Sequence, residues 1–251
     1  MADAITVDLS EHVAFVEMHR PPNNYFDLDV LTTLADTLEA LGDNPECRAI
    51  VFGAEGKNFC AGADLSGSDV IDHTARLYAQ AARIAGTAVP TIAAVQGAAV
   101  GGGLGLALAT DFRIATPQTR FSCNFSRLGF HHGFGITVTL PAVVGQQRAL
   151  ELMYTGGQVR GEEALAIGLA DRIVPAEELR DAARQLASEI ALSAPLAVRS
   201  IRATMRGDLA ERIRAATERE AEQQQILRRT DDFTEGVKAM AERRTPKFTG
   251  R

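Results

Sequence analysis

The chain has 251 residues, 46% of them hydrophobic and 23% charged, which is enough to bury the core of one large domain and too apolar to stay disordered. Lys and Arg number 26 against 32 Asp and Glu, a net charge of −6 without the basic excess that nucleic acid requires of a partner. Cys47, Cys60 and Cys123 are too few and too scattered for a disulfide framework or a CxxC metal site. Together with an N-terminus lacking a basic and apolar leader, they lead us to expect a reducing, cytoplasmic setting.

Residues 5–9 and 12–18 alternate apolar with polar and predict two short strands in a hairpin, stopped by Pro21 and Pro22. Asp27 or Asp29 is placed to cap a helix whose stripe is Val30, Leu31, Leu34, Leu38 and Leu41 and which ends at Gly42. Residues 49–53 are an apolar run suited to a strand buried on both faces. A glycine-punctuated loop over 56–69 leads into a helix over 75–84.

From Ile84 to Thr110 runs a stretch of 27 residues without charge, long enough to pass a membrane-span filter, and Gly97 and Gly101 form a GxxxG within it. Pro90, Gln96 and six glycines in the stretch would break one continuous helix. It is therefore read as a buried strand over 91–95, a glycine turn over 97–103 and the start of a small-residue helix over 104–109, with no membrane partner. Residues 112–115 add another strand. Buried strands separated by helices predict an α/β fold with a parallel component. Beyond about residue 135 the pattern turns helical, apart from a short strand over 171–175. The helix over 207–229 carries only a thin stripe of Leu209, Ile213 and Ala216, and its charge run reads as a solvated face.

A motif scan removes several chemistries. Leu106 breaks GxGxxG after Gly101, and neither a phosphate-binding GxxxxGK[ST] nor a GxSxG nucleophile turn occurs. The pair His131 and His132 has no i,i+4 partner, so no metal site is assigned. Two glycine-rich turns remain, Cys60–Asp64 and Gly97–Gly103, each just downstream of a buried strand. Taken alone they read either as ordinary structural turns or as two sources of free N–H groups, which at a helix start could hold an oxygen that becomes anionic.

In residues 49–65 (AIVFGAEGKNFCAGADL), 90–116 (PTIAAVQGAAVGGGLGLALATDFRIAT), 121–129 (FSCNFSRLG), 145–156, 163–175 and 233–248, in that order and spacing, the chain resembles the enoyl-CoA hydratase/isomerase (crotonase) superfamily over its full length. The resemblance implies a crotonase-like spiral of ββα units over 1–190 and a helical C-terminal trimerisation region over 191–251, assembled as a homotrimer or homohexamer. It implies an acyl-CoA substrate, with coenzyme A entering as part of that substrate and no separate cofactor. Carried over by position, the backbone N–H groups of Ala63 and Gly102 would stabilise a thioester enolate. The CoA moiety would lie against Arg20, Pro22, Asn23, Asn24 and Ala61, and Arg243 either meets its phosphates or ends a solvated helix.

The chain departs from the family's hydratases where they carry two glutamates: the matching positions are Gly105 and Phe125, which cannot move a proton. Gly133 stands where dienoyl-CoA isomerases and dehalogenases of the family have a catalytic aspartate. His132, or its neighbour His131, is the candidate replacement acid or base; the competing reading is a hydrogen-bonded structural histidine. Asp64 either fixes its turn or serves as a relocated base, and the short, Ser/Gly/Asp-rich loop over 65–80 is expected to close over ligand. Cys60 and Cys123 read as small buried hydrophobes. Two function classes stay open: an enzyme whose reaction is not the two-glutamate hydration, and a catalytically weak acyl-CoA-binding or scaffold protein.

Overall fold

The computed structural model describes residues 4–64 and 70–251, so the first residues of the expected ligand-closing segment, 65–69, lie outside it. In chain order the first half comprises β1 (Ile5–Ser10), β2 (Val13–Met18), α1 (Leu28–Asp43), β3 (Ala49–Ala54), α2 (Val70–Ala85), β4 (Thr91–Val95), β5 (Ala98–Val100), α3 (Gly102–Ala109), β6 (Phe112–Ala115) and β7 (Arg120–Ser122). The second half comprises α4 (Ile136–Val144), α5 (Gln146–Thr155), β8 (Gln158–Arg160), α6 (Gly161–Ala166), β9 (Arg172–Ile173), α7 (Leu179–Ala191), α8 (Pro195–Arg206), α9 (Leu209–Leu227) and α10 (Asp231–Ala241).

A six-stranded sheet runs β1-β2-β3-β4-β6-β9, antiparallel only at the β1–β2 hairpin and parallel from β2 onward. Parallel strands need covered faces, and the side-chain alternation supplies them. Val13, Phe15, Ala49 and Val51 point to one face, where α7 lays down Leu179, Ala183, Ala187 and Ala191 at four-residue spacing. Ala14, Val16, Ile50 and Phe52 point into the larger core shared with α1, α2 and α3. Asp27 is the cap of α1, its side chain accepting from the Val30 N–H at 2.9 Å. The charge-free run resolves into β4 and α3, as read, with β5 between them where a turn is expected, and no helix among the described residues is long and apolar enough to cross a membrane.

Three features differ from the sequence reading. Residues 98–100 are a strand rather than part of a turn, and β7 and β8 complete with them a second, three-stranded sheet. Strands of three residues leave no periodicity to detect and form because their partners are brought to them. α2 begins at Val70, ahead of the expected start at 75, which corrects the loop expected over 65–80: residues 70–80 are helical. The stripe of α9 keeps Ile213, with Leu209 packed against the core, and continues through Thr217, Glu220, Ala221 and Gln224 rather than Ala216; the charge run is a solvated face except at Glu220, whose burial corrects that reading. Ile213 and Ala221 belong to the larger core, so the C-terminal helices share it with the rest of the chain.

Candidate active site

The two glycine-rich turns meet. The Cys60 N–H donates to the Ala98 carbonyl at 2.9 Å and the Val100 N–H to the Cys60 carbonyl at 3.1 Å, stitching the first turn to β5. On its other side Phe26 donates to Gly62 at 3.1 Å and Asp64 donates to Phe26 at 2.9 Å, which leaves Ala63 between them. The Ala63 N–H has no acceptor among the described residues. In the second turn Gly101 donates to Ser122 at 2.9 Å, and Gly102 follows as the first residue of α3, its N–H one of the helix's unpaired leading donors. A Cβ on Gly62 would lie 3.8 Å from the Gly102 nitrogen, so the donors at 63 and 102 come from touching segments.

Glycine is required here by space as well as conformation. A Cβ on Gly103 would lie 2.1 Å from the Cys60 carbonyl oxygen, and Gly62 and Gly101 sit at φ +112° and +57°. The result is a pair of N–H groups at the positive end of a helix, both on half-buried residues, an arrangement that favours a developing negative charge.

The walls beside this pair are aromatic. Phe26 lies over Gly102 and against Phe134, with ring centroids 5.4 Å apart. A Cβ on Gly105 would lie 2.7 Å from that of Phe134, so the space a side chain would need at this position is already filled. Phe125 is buried against Phe130, and its ring lies 3.6 Å from where a Gly101 Cβ would stand. At Gly133 a Cβ would sit 1.9 Å from the hydroxyl of Tyr78, so a buried phenol from α2 occupies that place. Burial pushes the Tyr78 hydroxyl above the usual phenol range and keeps it protonated.

The segment 131–137 closes the same wall and is held from α9. Glu220, fully buried, accepts from the Gly135 N–H at 2.8 Å, the Thr137 N–H at 3.1 Å and the Thr137 hydroxyl at 2.6 Å. These bonds fasten a stretch in which Phe134 adopts φ +63°, an uncommon state for a bulky residue that persists only where its surroundings impose it. Gln224, also fully buried, donates to the His131 carbonyl at 2.8 Å. The His132 Nε2 meets the Thr137 hydroxyl at 2.8 Å, and the two imidazoles stack with centroids 4.1 Å apart. Burial, and then His131, depress the His132 imidazole to about 4, so it is neutral at pH 7. Burial raises the Glu220 carboxyl in spite of its three donors.

The expected CoA residues form one surface. The Asn23 carbonyl accepts from Ala61 at 2.9 Å, and the Asn58 side chain donates to the Pro22 carbonyl at 3.1 Å. Arg20 pairs with Asp27 beside them. Asn24 is the exception in chemistry, because its side chain is buried and spent on the carbonyls of Glu55 and Asn58. Arg243 lies exposed just beyond α10. Asp64 is half-buried at the end of its turn. Cys60 and Cys123 are buried, their thiols pushed up to about 12, which makes them inert. A concavity of about 630 Å³ lies elsewhere, over the carboxyl ends of β3 and β4 near Lys57, Gln96 and Arg180, and neither Ala63 nor Gly102 lines it.

Sequence reading missed Glu220, Thr137, Gln224 and Tyr78. The available signal was the 213, 217, 220, 221, 224 spacing, which places three polar residues, Thr217, Glu220 and Gln224, on the inward stripe of α9.

Residues 8–251 match the family model for enoyl-CoA hydratase/isomerase. The chain is 34% identical over 264 residues to the (E)-benzylidenesuccinyl-CoA hydratase of Thauera aromatica, covering 98% of this chain and 99% of that one. It is 32% identical over 255 residues to the crotonyl-CoA hydratase of Syntrophomonas wolfei, covering 97% of each. Among solved structures, an enoyl-CoA hydratase from Mycobacterium avium subsp. paratuberculosis superposes with a TM-score of 0.87 at 29% identity, over 98% of this chain and 99% of that one.

Proposed function

The chain belongs to the enoyl-CoA hydratase/isomerase family, and from that premise we propose that it stabilises the enolate of an acyl-CoA thioester on the N–H groups of Ala63 and Gly102, in a reaction other than the two-glutamate hydration. The observation that carries this reading is the pair of unpaired backbone donors set against an aromatic wall, with glycine at 105 and phenylalanine at 125. Two N–H donors aimed at a developing oxyanion each contribute about 10²–10³-fold to rate. They do not supply a proton or remove one, and His132 is the group we assign to that task. A neutral imidazole on the segment that packs Phe134 against Gly105 can take a proton where no carboxylate at 105 or 125 exists.

CoA lies along the surface made by Arg20, Pro22, Asn23 and Ala61, with the Asn24 side chain behind it. Leu192, Leu196, Ile201 and Met205 expose a strong apolar row in and beside α8, which supports assembly into a trimer or hexamer and the delivery of Arg243 to a neighbouring subunit's ligand.

The test is turnover of crotonyl-CoA and of a panel of enoyl-, dienoyl- and malonyl-type thioesters, with acyl-CoA binding by calorimetry on the same sample. Binding of acyl-CoA, slow hydration of crotonyl-CoA and faster turnover of another thioester are expected. Hydration of crotonyl-CoA above about 1 per second overturns the exclusion of hydratase chemistry. Binding with no turnover anywhere favours the binding or scaffold role.

A further inference from the structure

Glu220 is the one fully buried carboxylate among the described residues, and its three donors make it more than a loop fastener. The Thr137 hydroxyl stands between it and His132. A hydroxyl has one proton to give, and a carboxylate can only accept; at 2.6 Å from Glu220 Oε1 that proton points to the carboxylate. The lone pairs of the same oxygen are then left for His132 Nε2, 2.8 Å away, so Nε2 must carry its hydrogen. His132 Nδ1 is the bare nitrogen, and it makes no hydrogen bond among the described residues.

We propose that Thr137 and Glu220 are positioning residues for His132: they hold it as the Nε2–H tautomer with Nδ1 as the base, and they accept the proton's charge through the chain His132–Thr137–Glu220. This rests on the assignment of His132 to proton transfer above.

The step balances as a relay. The substrate's Cα–H bond breaks, its electron pair stays on the substrate as the enolate, and the proton joins Nδ1. The Nε2 proton passes to the Thr137 oxygen as the Thr137 hydroxyl proton passes to Glu220 Oε1. Afterwards His132 is again neutral, Glu220 is a carboxylic acid, and the negative charge has moved from the carboxylate to the enolate oxygen between Ala63 and Gly102. The environment favours this end state, because burial opposes an imidazolium at 132 and an anion at 220 alike. A lone imidazole in the same place would have to hold a cation that its surroundings reject.

The titratable or charged groups that face this chain are His131, stacked on His132, Cys123, Tyr78 from α2 and Arg228 from α9. Cys123 and Tyr78 stay protonated through neutral pH, so neither contributes a limb to the activity profile there.

The deciding measurement is the ¹⁵N spectrum of the full chain labelled at its five histidines, with His132 assigned by His132→Gln. The expected result is an Nε2–H tautomer for His132, lost to a mixture in Thr137→Val and restored in Thr137→Ser. On the best thioester of the panel, Thr137→Val and Glu220→Gln are expected to lower kcat by at least about tenfold with KM little changed, the pattern of a general base that has lost its orientation. Thr137→Ser is expected to recover most of the rate, and Glu220→Gln to shift the acid limb of the kcat profile. An Nδ1–H tautomer in the wild type, or a Thr137→Val chain with unchanged tautomer and rate, overturns the relay. If Glu220→Gln does not fold, the wild-type tautomer and the Thr137 pair still decide. The tautomer needs no substrate, so its failure is separate from that of the function: a His132→Ala chain at full rate removes the base, and the relay with it, whatever the spectrum says.

Discussion

The site has two halves built by different means. The half formed by the Cys60–Asp64 and Gly97–Gly103 turns is made of backbone, and its donors are placed by strand pairing and by glycines that nothing larger could replace. The half formed by 131–137 is made of side chains, and its order comes from α9, more than eighty residues further along the chain, through Glu220 and Gln224. The first half tolerates almost no change of shape. The second is held through side-chain hydrogen bonds from α9, and is sensitive to protons as well as to shape.

The largest effect should follow from Gly103→Ala, which sets a methyl group 2.1 Å from the Cys60 carbonyl oxygen and 2.8 Å from its carbonyl carbon, where backbone cannot yield as a flexible side chain would. A loss of about 4 kcal/mol by urea unfolding and abolition of thioester turnover are expected, the upper end of single-residue effects. Retained stability would mean that the junction between the halves is looser than described.

Next comes acid. His132 has a folded value near 4 against an ordinary 6.5, so between those pH values the unfolded chain binds the proton and the folded chain does not. The contribution is fully present above about 6.5 and is lost as pH falls toward 4, on the order of 3 kcal/mol in all. Unfolding titrations of His132→Gln should lack that fall, and identical pH slopes for variant and wild type would sink the assignment.

Gly105→Glu is a sharper probe of the wall between the halves. Its Cβ meets that of Phe134 at 2.7 Å, so about 2 kcal/mol should be lost by overpacking, with no gain in crotonyl-CoA hydration. Combined with Phe134→Ala, the loss should be smaller than the sum of the two single changes, because the two side chains compete for one space. Additive losses would show that they do not.

The smallest effect belongs to Asp27→Ala, which removes the α1 cap and the partner of Arg20. About 1 kcal/mol of stability is expected to go, together with weaker acyl-CoA binding by calorimetry. Unchanged binding would detach Arg20 from the ligand surface.

How much of this was legible follows the same division. Asp27 or Asp29 as a cap, the uncharged run as a buried strand leading through glycines into a helix, and two glycine turns able to leave N–H groups free all come from rules that act within a few residues: capping, glycine conformation, and charge-free strands buried on both faces. The family resemblance added which N–H groups to watch, Ala63 and Gly102. It also marked Gly105, Phe125 and Gly133 as empty of acid. What the sequence by itself determined is therefore the α/β order and the two glycine turns, with Gly105, Phe125 and Gly133 at the positions where the resemblance expects acids. Only the tertiary structure decided what fills those places, Phe134 at 105 and the Tyr78 hydroxyl at 133, and that a glutamate in a charge-rich helix is wholly buried. Local rules read Glu220 as solvated because it stands in a charge run with Glu218, Arg219 and Glu222. A buried carboxylate is made tolerable by donors from elsewhere in the chain, and those appear only once α9 lies across residues 135–137.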